Sequence, residues 1–187
     1  MHTATKMAKE KIVSEIKIPA GVKVEIAEGI INVSSGANKV SKAIMSRDLN
    51  AEVSGDKVVF SCSTNRKKTR TILGTFEAHL KTMFNGVTTG NIYRLKICSG
   101  HFPMSVTISG QELTVKNFLG EKVPRVVHLD AMVKVTTDGN EVVVQGVDLE
   151  KVGAVAARIE KATGIKGRDL RVFQDGIYIT SKNGKGV

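Results

Sequence analysis

One order of elements runs twice along this chain, and that repetition limits the fold more than any single motif. In the first half Ile16 and Ile18, then Val22, Val24 and Ile26, then Ile31 and Val33 alternate with polar residues. Alternation of this kind marks strands buried on one face. A polar segment, Ser34 to Ser46, comes next. Leu49, Ala51 and Val53 then alternate, as do Val58 and Phe60, around Ser54-Gly55-Asp56-Lys57, whose Gly and Asp predict a hairpin turn. From Thr71 to Phe84 the period changes. Ile72, Leu73, Phe76, Leu80, Met83 and Phe84 share one helical stripe, with Thr69 or Thr71 as N-cap and Gly86 just past the end. The expected unit is a small sheet covered by one amphipathic helix.

The second half repeats the series: Leu95 and Ile97, Val106 and Ile108, Leu113 and Val115, Val127 and Leu129, Val133 and Val135, then Val142 and Val144 after Thr137-Asp138-Gly139-Asn140. It again leads to a helix, capped by Asp148, with Leu149, Val152, Val155, Ala156 and Ile159 inward and Gly164 at its close. Landmarks correspond as well. Pro19 and Pro103 precede a second strand, Gly55 and Gly139 turn a hairpin, and Leu73-Gly74 matches Val152-Gly153. The fold class expected is therefore α+β: two tandem copies of a small antiparallel or mixed sheet with one helix packed on it. The boundary falls at residues 1–88 and 89–187, within a joint spanning Asn85 to Asn91. A C-terminal β-hairpin has no counterpart in the first half: Asp169 to Phe173 and Ile177 to Thr180 alternate around Gln174-Asp175-Gly176.

Charge narrows the function. Lys and Arg number 28 against 18 Asp and Glu, a formal net charge of +10, which predicts a polyanionic partner. Two clusters stand out: Arg66, Lys67, Lys68 and Arg70 just before the first helix, and the C-terminal set Lys151, Arg158, Lys161, Lys166, Arg168, Arg171, Lys182 and Lys185. These twelve residues are the candidate nucleic-acid contacts, the first group beside helix amides that also attract phosphate. Aromatic residues make up 4% of the chain and Trp is absent, so a sheet that stacks successive unpaired bases is poorly supplied. Phe60, Phe76, Phe84, Phe173 and Tyr178 read as core. Recognition of folded RNA, or of duplex DNA, through the phosphate backbone remains.

Catalysis finds little support. The four histidines, His2, His79, His101 and His128, lack metal-ligand spacing, and Cys62 and Cys98 form no Cys-x-x-Cys pair, so neither metal nor cofactor is expected. Cys98, Ser99 and His101 are close only in sequence. Gly36-Ala37-Asn38-Lys39 lacks the Gly-Lys-Ser/Thr ending of a phosphate loop. Few cysteines point to a reducing compartment, and Lys6, Lys9 and Lys11 precede no apolar run, so a soluble intracellular protein is expected, with no membrane and no small-molecule substrate.

The run Arg171-Val172-Phe173-Gln174-Asp175-Gly176-Ile177-Tyr178-Ile179-Thr180-Ser181-Lys182 resembles the signature of the archaeal and eukaryotic large-subunit ribosomal protein family uL6, also called L6. The likeness extends through Gly146-Val147-Asp148, Val152 to Ile159, His101-Phe102-Pro103 and Gly86 to Gly90. Lys161 stands where that signature usually opens with glutamine. The resemblance implies two copies of one α+β fold and a ribosomal, cytoplasmic place with neighbouring large-subunit proteins. It further implies binding of large-subunit rRNA mainly through the second copy, near the factor-binding region beside the sarcin-ricin loop. The Arg171 to Lys182 ribbon would lie at the rRNA face, with Asp175 and Gly176 shaping its turn. The competing readings are an extra-ribosomal RNA or DNA chaperone and, last, an enzyme.

Overall fold

The computed structural model describes residues 12–44, 46, 49–62 and 66–187; Lys6, Lys9 and Lys11 fall outside them. The chain forms two compact units, Met1–Thr88 and Thr89–Val187. In the first, the alternating segments become β1 (Ile12–Lys17), β2 (Lys23–Ala27), β3 (Ile30–Ser35), β4 (Asn38–Ala43), β5 (Leu49–Ser54) and β6 (Lys57–Cys62), followed by α1 (Lys67–Thr88). They make two antiparallel sheets, β1-β6-β5 and β2-β3-β4. Ile16, Ile31, Val33, Val58 and Phe60 turn inward beneath Leu73, Leu80, Met83 and Phe84 of α1. Burying one face of each strand and one stripe of the helix is what their two periods permit.

The second unit repeats the plan with β7 (Asn91–Cys98), β8 (Ser105–Ser109), β9 (Glu112–Lys116), β10 (Arg125–His128), β11 (Val133–Asp138), β12 (Glu141–Gly146) and α2 (Leu149–Ala162). Its core contains Leu95, Leu113, Val115, Val142, Val144, Val152, Val155, Ala156 and Ile159. Asp148 caps α2 by accepting from the Glu150 amide at 2.9 Å, as the sequence predicts. Where β12 ends, α2 comes so close that a Cβ on Gly146 would meet Val152 Cγ2 at 2.8 Å. Two further strands, β13 (Gly176–Lys182) and β14 (Lys185–Gly186), extend one sheet to the order β11-β12-β7-β13-β14, while β10-β9-β8 stays three-stranded. The α+β class and its duplication are thus as expected from the repeated pattern.

Several local expectations are corrected. The polar segment Ser34 to Ser46 contains β4, paired to β3 through a turn in which Gly36 takes φ 57°. Val40 is its buried apolar residue, too little for a period-two pattern to register. The first helix starts earlier and ends later than its stripe. Lys67, Lys68 and Arg70 form its first turn rather than a preceding loop, Thr69 is buried within it, and Gly86 and Val87 are buried near its end. The joint therefore shrinks to Thr89-Gly90, where Gly90 adopts φ 76°.

The C-terminal hairpin exists but turns elsewhere. Asp169 to Phe173 is not a strand; β13 pairs with β7 and turns into β14 at Asn183-Gly184, both at positive φ, 50° and 78°. Asn183 can hold that conformation because its amide and side chain bond Ile92 and Asn91 across the sheet. Asp175 is accordingly not a turn residue. Nor does Phe173 lie in a strand, and Tyr178 of β13 is exposed instead of core.

Core position should govern tolerance to substitution. Leu95→Ala, at 0% exposure, is expected to lower unfolding free energy in urea by about 2–5 kcal/mol. Val123→Ala, at 77% exposure, should stay within about 0.5 kcal/mol of the parent.

Candidate nucleic-acid interface

The second unit gathers cations where α2 ends. Its last turn leaves carbonyls without helical partners, and Arg125, at the start of β10, reaches one of them and a second just past the helix. Arg125 Nη1 donates to the Ala162 carbonyl at 2.7 Å and to that of Gly164 at 3.4 Å. The same guanidinium forks onto the Glu121 carboxylate and lies over the Phe118 ring, 4.2 Å from its centroid. The Arg125 hydrogen bond holds the Glu121 carboxyl below its usual range, with Arg168 adding to the effect. Lys161, Lys166 and Arg168 line the same cleft, of about 340 Å³. Four cations thus face one carboxylate already engaged by Arg125.

The cleft continues into a broader groove of about 1110 Å³ that shares Lys161, Gly164 and Ile165 with it. Here apolar side chains stand open: Leu170 and Val172 are 63% and 60% exposed. Phe173 is stacked on His101 at 4.7 Å, with the Arg168 guanidinium 4.8 Å from its ring centre. A surface joining cations to exposed planar and apolar groups suits ribose and base edges as well as phosphate.

Asp175 holds this face together. It is buried at 3% exposure, and its Oδ1 accepts from the Gly100 and His101 amides, the latter at 3.1 Å. Its Oδ2 lies 2.7 Å from His101 Nδ1. An ionised carboxylate can only accept, so Nδ1 carries the proton. Burial pushes the Asp175 carboxyl up, but the His101 amide, the His101 ring and the Gly100 amide outweigh it and leave it below its ordinary value. The Tyr178 hydroxyl donates to the Asp175 carbonyl at 3.3 Å, and burial raises its pKa, keeping it a donor.

The twelve candidates fare unequally. Lys161, Lys166 and Arg168 come together. Arg171 is exposed but held by Asp169, with Nη2 to Oδ2 at 2.9 Å, so much of its charge is answered within the chain. Arg158 donates to the His128 carbonyl at 3.1 Å, and Lys151, at the opposite end of α2, rests against Met132. Lys182 and Lys185 are exposed on β13 and β14. Arg66, Lys67, Lys68 and Arg70 are exposed in the first unit, at the start of α1. Arg125 was missed because it sits among strand valines; the clue was Glu121 four residues earlier, the partner it now holds.

A duplicated α+β scaffold that collects cations at the end of a helix has the build of a structural nucleoprotein component. Sequence comparison specifies which: the model of the family described as ribosomal protein L6 matches residues 18–90 and again 102–176, once in each unit. A protein named large ribosomal subunit protein uL6 from Haloarcula marismortui is 41% identical over 92% of this chain and 97% of its own length. Proteins of the same name from Methanococcus vannielii and Methanocella arvoryzae are 42% and 39% identical, covering 91% and 94% of this chain and 94% and 99% of their own lengths. The chain belongs to the ribosomal protein L6 family, whose members are structural ribosomal proteins, not enzymes.

The Asp175 clamp predicts a pH signature. A carboxyl whose folded pKa lies below its unfolded value stabilises fully above the unfolded value, near 3.8, and loses that contribution as pH falls toward the folded one. Urea unfolding should therefore show the wild type losing more stability than Asp175→Asn as pH drops below 3.8. At pH 7, Asp175→Ala removes the buried acceptor of the part-buried Gly100 and His101 amide bonds and should cost about 1–3 kcal/mol.

Proposed function

We propose that this chain is a non-catalytic structural constituent of the large ribosomal subunit, working in the cytoplasm. On this reading it binds 23S-type rRNA chiefly through its second unit, near the factor-binding region on the sarcin-ricin loop side, among neighbouring large-subunit proteins. Family membership and the relatives' names support the assignment to the subunit. The observation that carries the RNA face is the convergence of Arg125, Lys161, Lys166 and Arg168 on one cleft. Cations carried by a strand, a helix end and a loop fastened at both ends neutralise phosphate with less ordering left for the moment of binding, and counterion release supplies the affinity.

Two other sets of candidates fit this reading less directly. Lys182 and Lys185 extend it along the exposed hairpin. The first turn of α1 carries Lys67, Lys68 and Arg70 and no acid, an arrangement the helix dipole opposes and a phosphate would relieve. That would give the first unit a secondary RNA contact with Arg66 beside it.

Replacing Lys161, Lys166 and Arg168 together by Ala tests the cleft. Affinity for purified large-subunit rRNA should fall, and the slope of log affinity against log salt should flatten by about 0.7–0.9 for each phosphate that the variant no longer neutralises. Arg171→Ala should change both far less, because Asp169 already holds that guanidinium. Footprints identical for wild type and triple variant would move the binding face elsewhere. The chain should also stay with large subunits washed in high salt, and release at moderate salt would favour a chaperone.

A further inference from the structure

The duplication leaves one edge covered in one unit and open in the other. In the second unit β7 lies between β12 and β13; in the first, β1 has β6 on one side and no strand on the other among the described residues. The two strands correspond residue by residue. Ile16 pairs with Val58 as Leu95 pairs with Val142. The Ile18 amide donates to the Asp56 carbonyl as the Ile97 amide donates to that of Asn140, each at 2.8 Å.

Those bonds orient the rest, because backbone N–H and C=O groups alternate sides along a strand. The groups of Ser14, Ile16 and Ile18 turn toward β6, so those of Val13, Glu15 and Lys17 turn outward. Their counterparts are Ile92, Arg94 and Lys96. At Ile92 the amide donates to Asn183 Oδ1 and the carbonyl accepts from the Asn183 amide, both at 2.8 Å, on the side where β13 pairs.

A groove of about 360 Å³ follows the open edge, walled by Ser14 to Lys17 of β1 and by Glu77, Lys81 and Phe84 of α1. Matching Leu73 to Val152 and Leu80 to Ile159, all buried, sets Lys81 at the place of Glu160 and Phe84 at that of Thr163. In the second unit those two residues hold the added strand. Glu160 Oε1 accepts from the Ile179 amide at 3.1 Å and Thr163 Oγ1 from the Ile177 amide at 2.9 Å. The groove of the first unit is the counterpart of the seat that β13 fills.

We propose that the outer edge of β1 receives an extended segment of a neighbouring protein as an added strand. The inference rests on the reading that the chain works inside the large subunit. Main-chain bonds to Val13, Glu15 and Lys17 supply the ladder, and apolar side chains at alternate positions of the partner settle against Ile16 and Phe84. Lys81 is a donor where Glu160 is an acceptor, so the partner presents an acidic side chain there. RNA fits poorly: Glu77, and Glu15 held by Lys57, place carboxylates beside Lys17 and Lys81, and no nucleic acid matches the alternating donors and acceptors of a strand edge.

Amide hydrogen exchange on the isolated chain and on the chain incorporated into large subunits tests this. The amides of Val13, Glu15 and Lys17 should slow by about tenfold or more on incorporation, while Ser14 and Ile16, already bonded to β6, change little. A photo-crosslinker carried at position 81 should join to another polypeptide. Glu15→Pro removes an outward N–H without touching the β1–β6 ladder and should abolish that crosslink, whereas Glu15→Ala keeps it. Unprotected amides in a chain that sediments with subunits, or crosslinks only to rRNA or within the chain itself, overturn the inference alone. A chain that does not sediment with them overturns the functional reading and this inference together.

Discussion

Asp175 is almost fully buried, and a carboxylate in that position survives ionised only if donors surround it. Two amides and one imidazole do so, all from the loop that follows β7. Asp175 immediately precedes β13, and at the other end of the same stretch Thr163 closes α2 while its hydroxyl takes the Ile177 amide. The residues between Thr163 and Asp175 are therefore pinned at both ends by polar bonds, buried at Thr163 and part-buried at Asp175. They include Lys166, Arg168 and Arg171, and they carry Leu170 and Val172 outward. A cationic loop closed in this way has lost much of its conformational freedom during folding, so less remains to be lost when a polyanion docks. The charge and the clamp belong to one device.

Duplication gave both units the same ladders, yet a few residues decide what each can cover. Glu160 and Thr163 offer acceptors to a strand, and the second unit supplies that strand from its own C-terminus. Their counterparts Lys81 and Phe84 cannot accept from an amide. A copy of β13 would not find these two acceptors in the first unit, and among the described residues the strand edge at β1 stays open to chemistry of a different kind. Open edges are a hazard for any sheet. Charged residues along this one, Glu15 and Lys17, oppose indiscriminate pairing while leaving the backbone ladder intact.

The legibility of the sequence follows the number of side chains that vote for each element. Strands with two or three alternating apolar residues could be located from their pattern, as could α2, whose stripe, cap and stop agree. β4 could not, since Val40 is its one buried apolar residue and pairing with β3 does the rest. The first turn of α1 is cationic and resembles a loop when apolar periodicity is the guide. Asp175-Gly176 carries the same letters as a hairpin turn, but His101, distant in sequence, claims the carboxylate, and a single chain read in order cannot reveal that. Lys161, Lys166 and Arg168 were visible as local charge density. Arg125 was not, because its significance comes from ending up beside the end of a helix that has not yet begun when it is encountered.

That placement bears on how the cleft can work at all. A helix C-terminus carries partial negative charge on its last carbonyls, a poor neighbour for phosphate. The sequence directs attention to a helix start, at Arg66 to Arg70, where dipole and side chains have the same sign of attraction. The structure instead assembles its tightest cationic group at a helix end. Arg125 eases the conflict by donating to the carbonyl of Ala162, at the end of α2, and to that of Gly164 just beyond it. The Thr163 and Gly164 amides take the carbonyls of Glu160 and Lys161, so the terminus becomes part of the wall. Glu121 answers one unit of its charge, so Arg125 contributes little net attraction itself. The outward pull is left to Lys161, Lys166 and Arg168, and its strength depends on an arginine whose own charge is already spent within the fold.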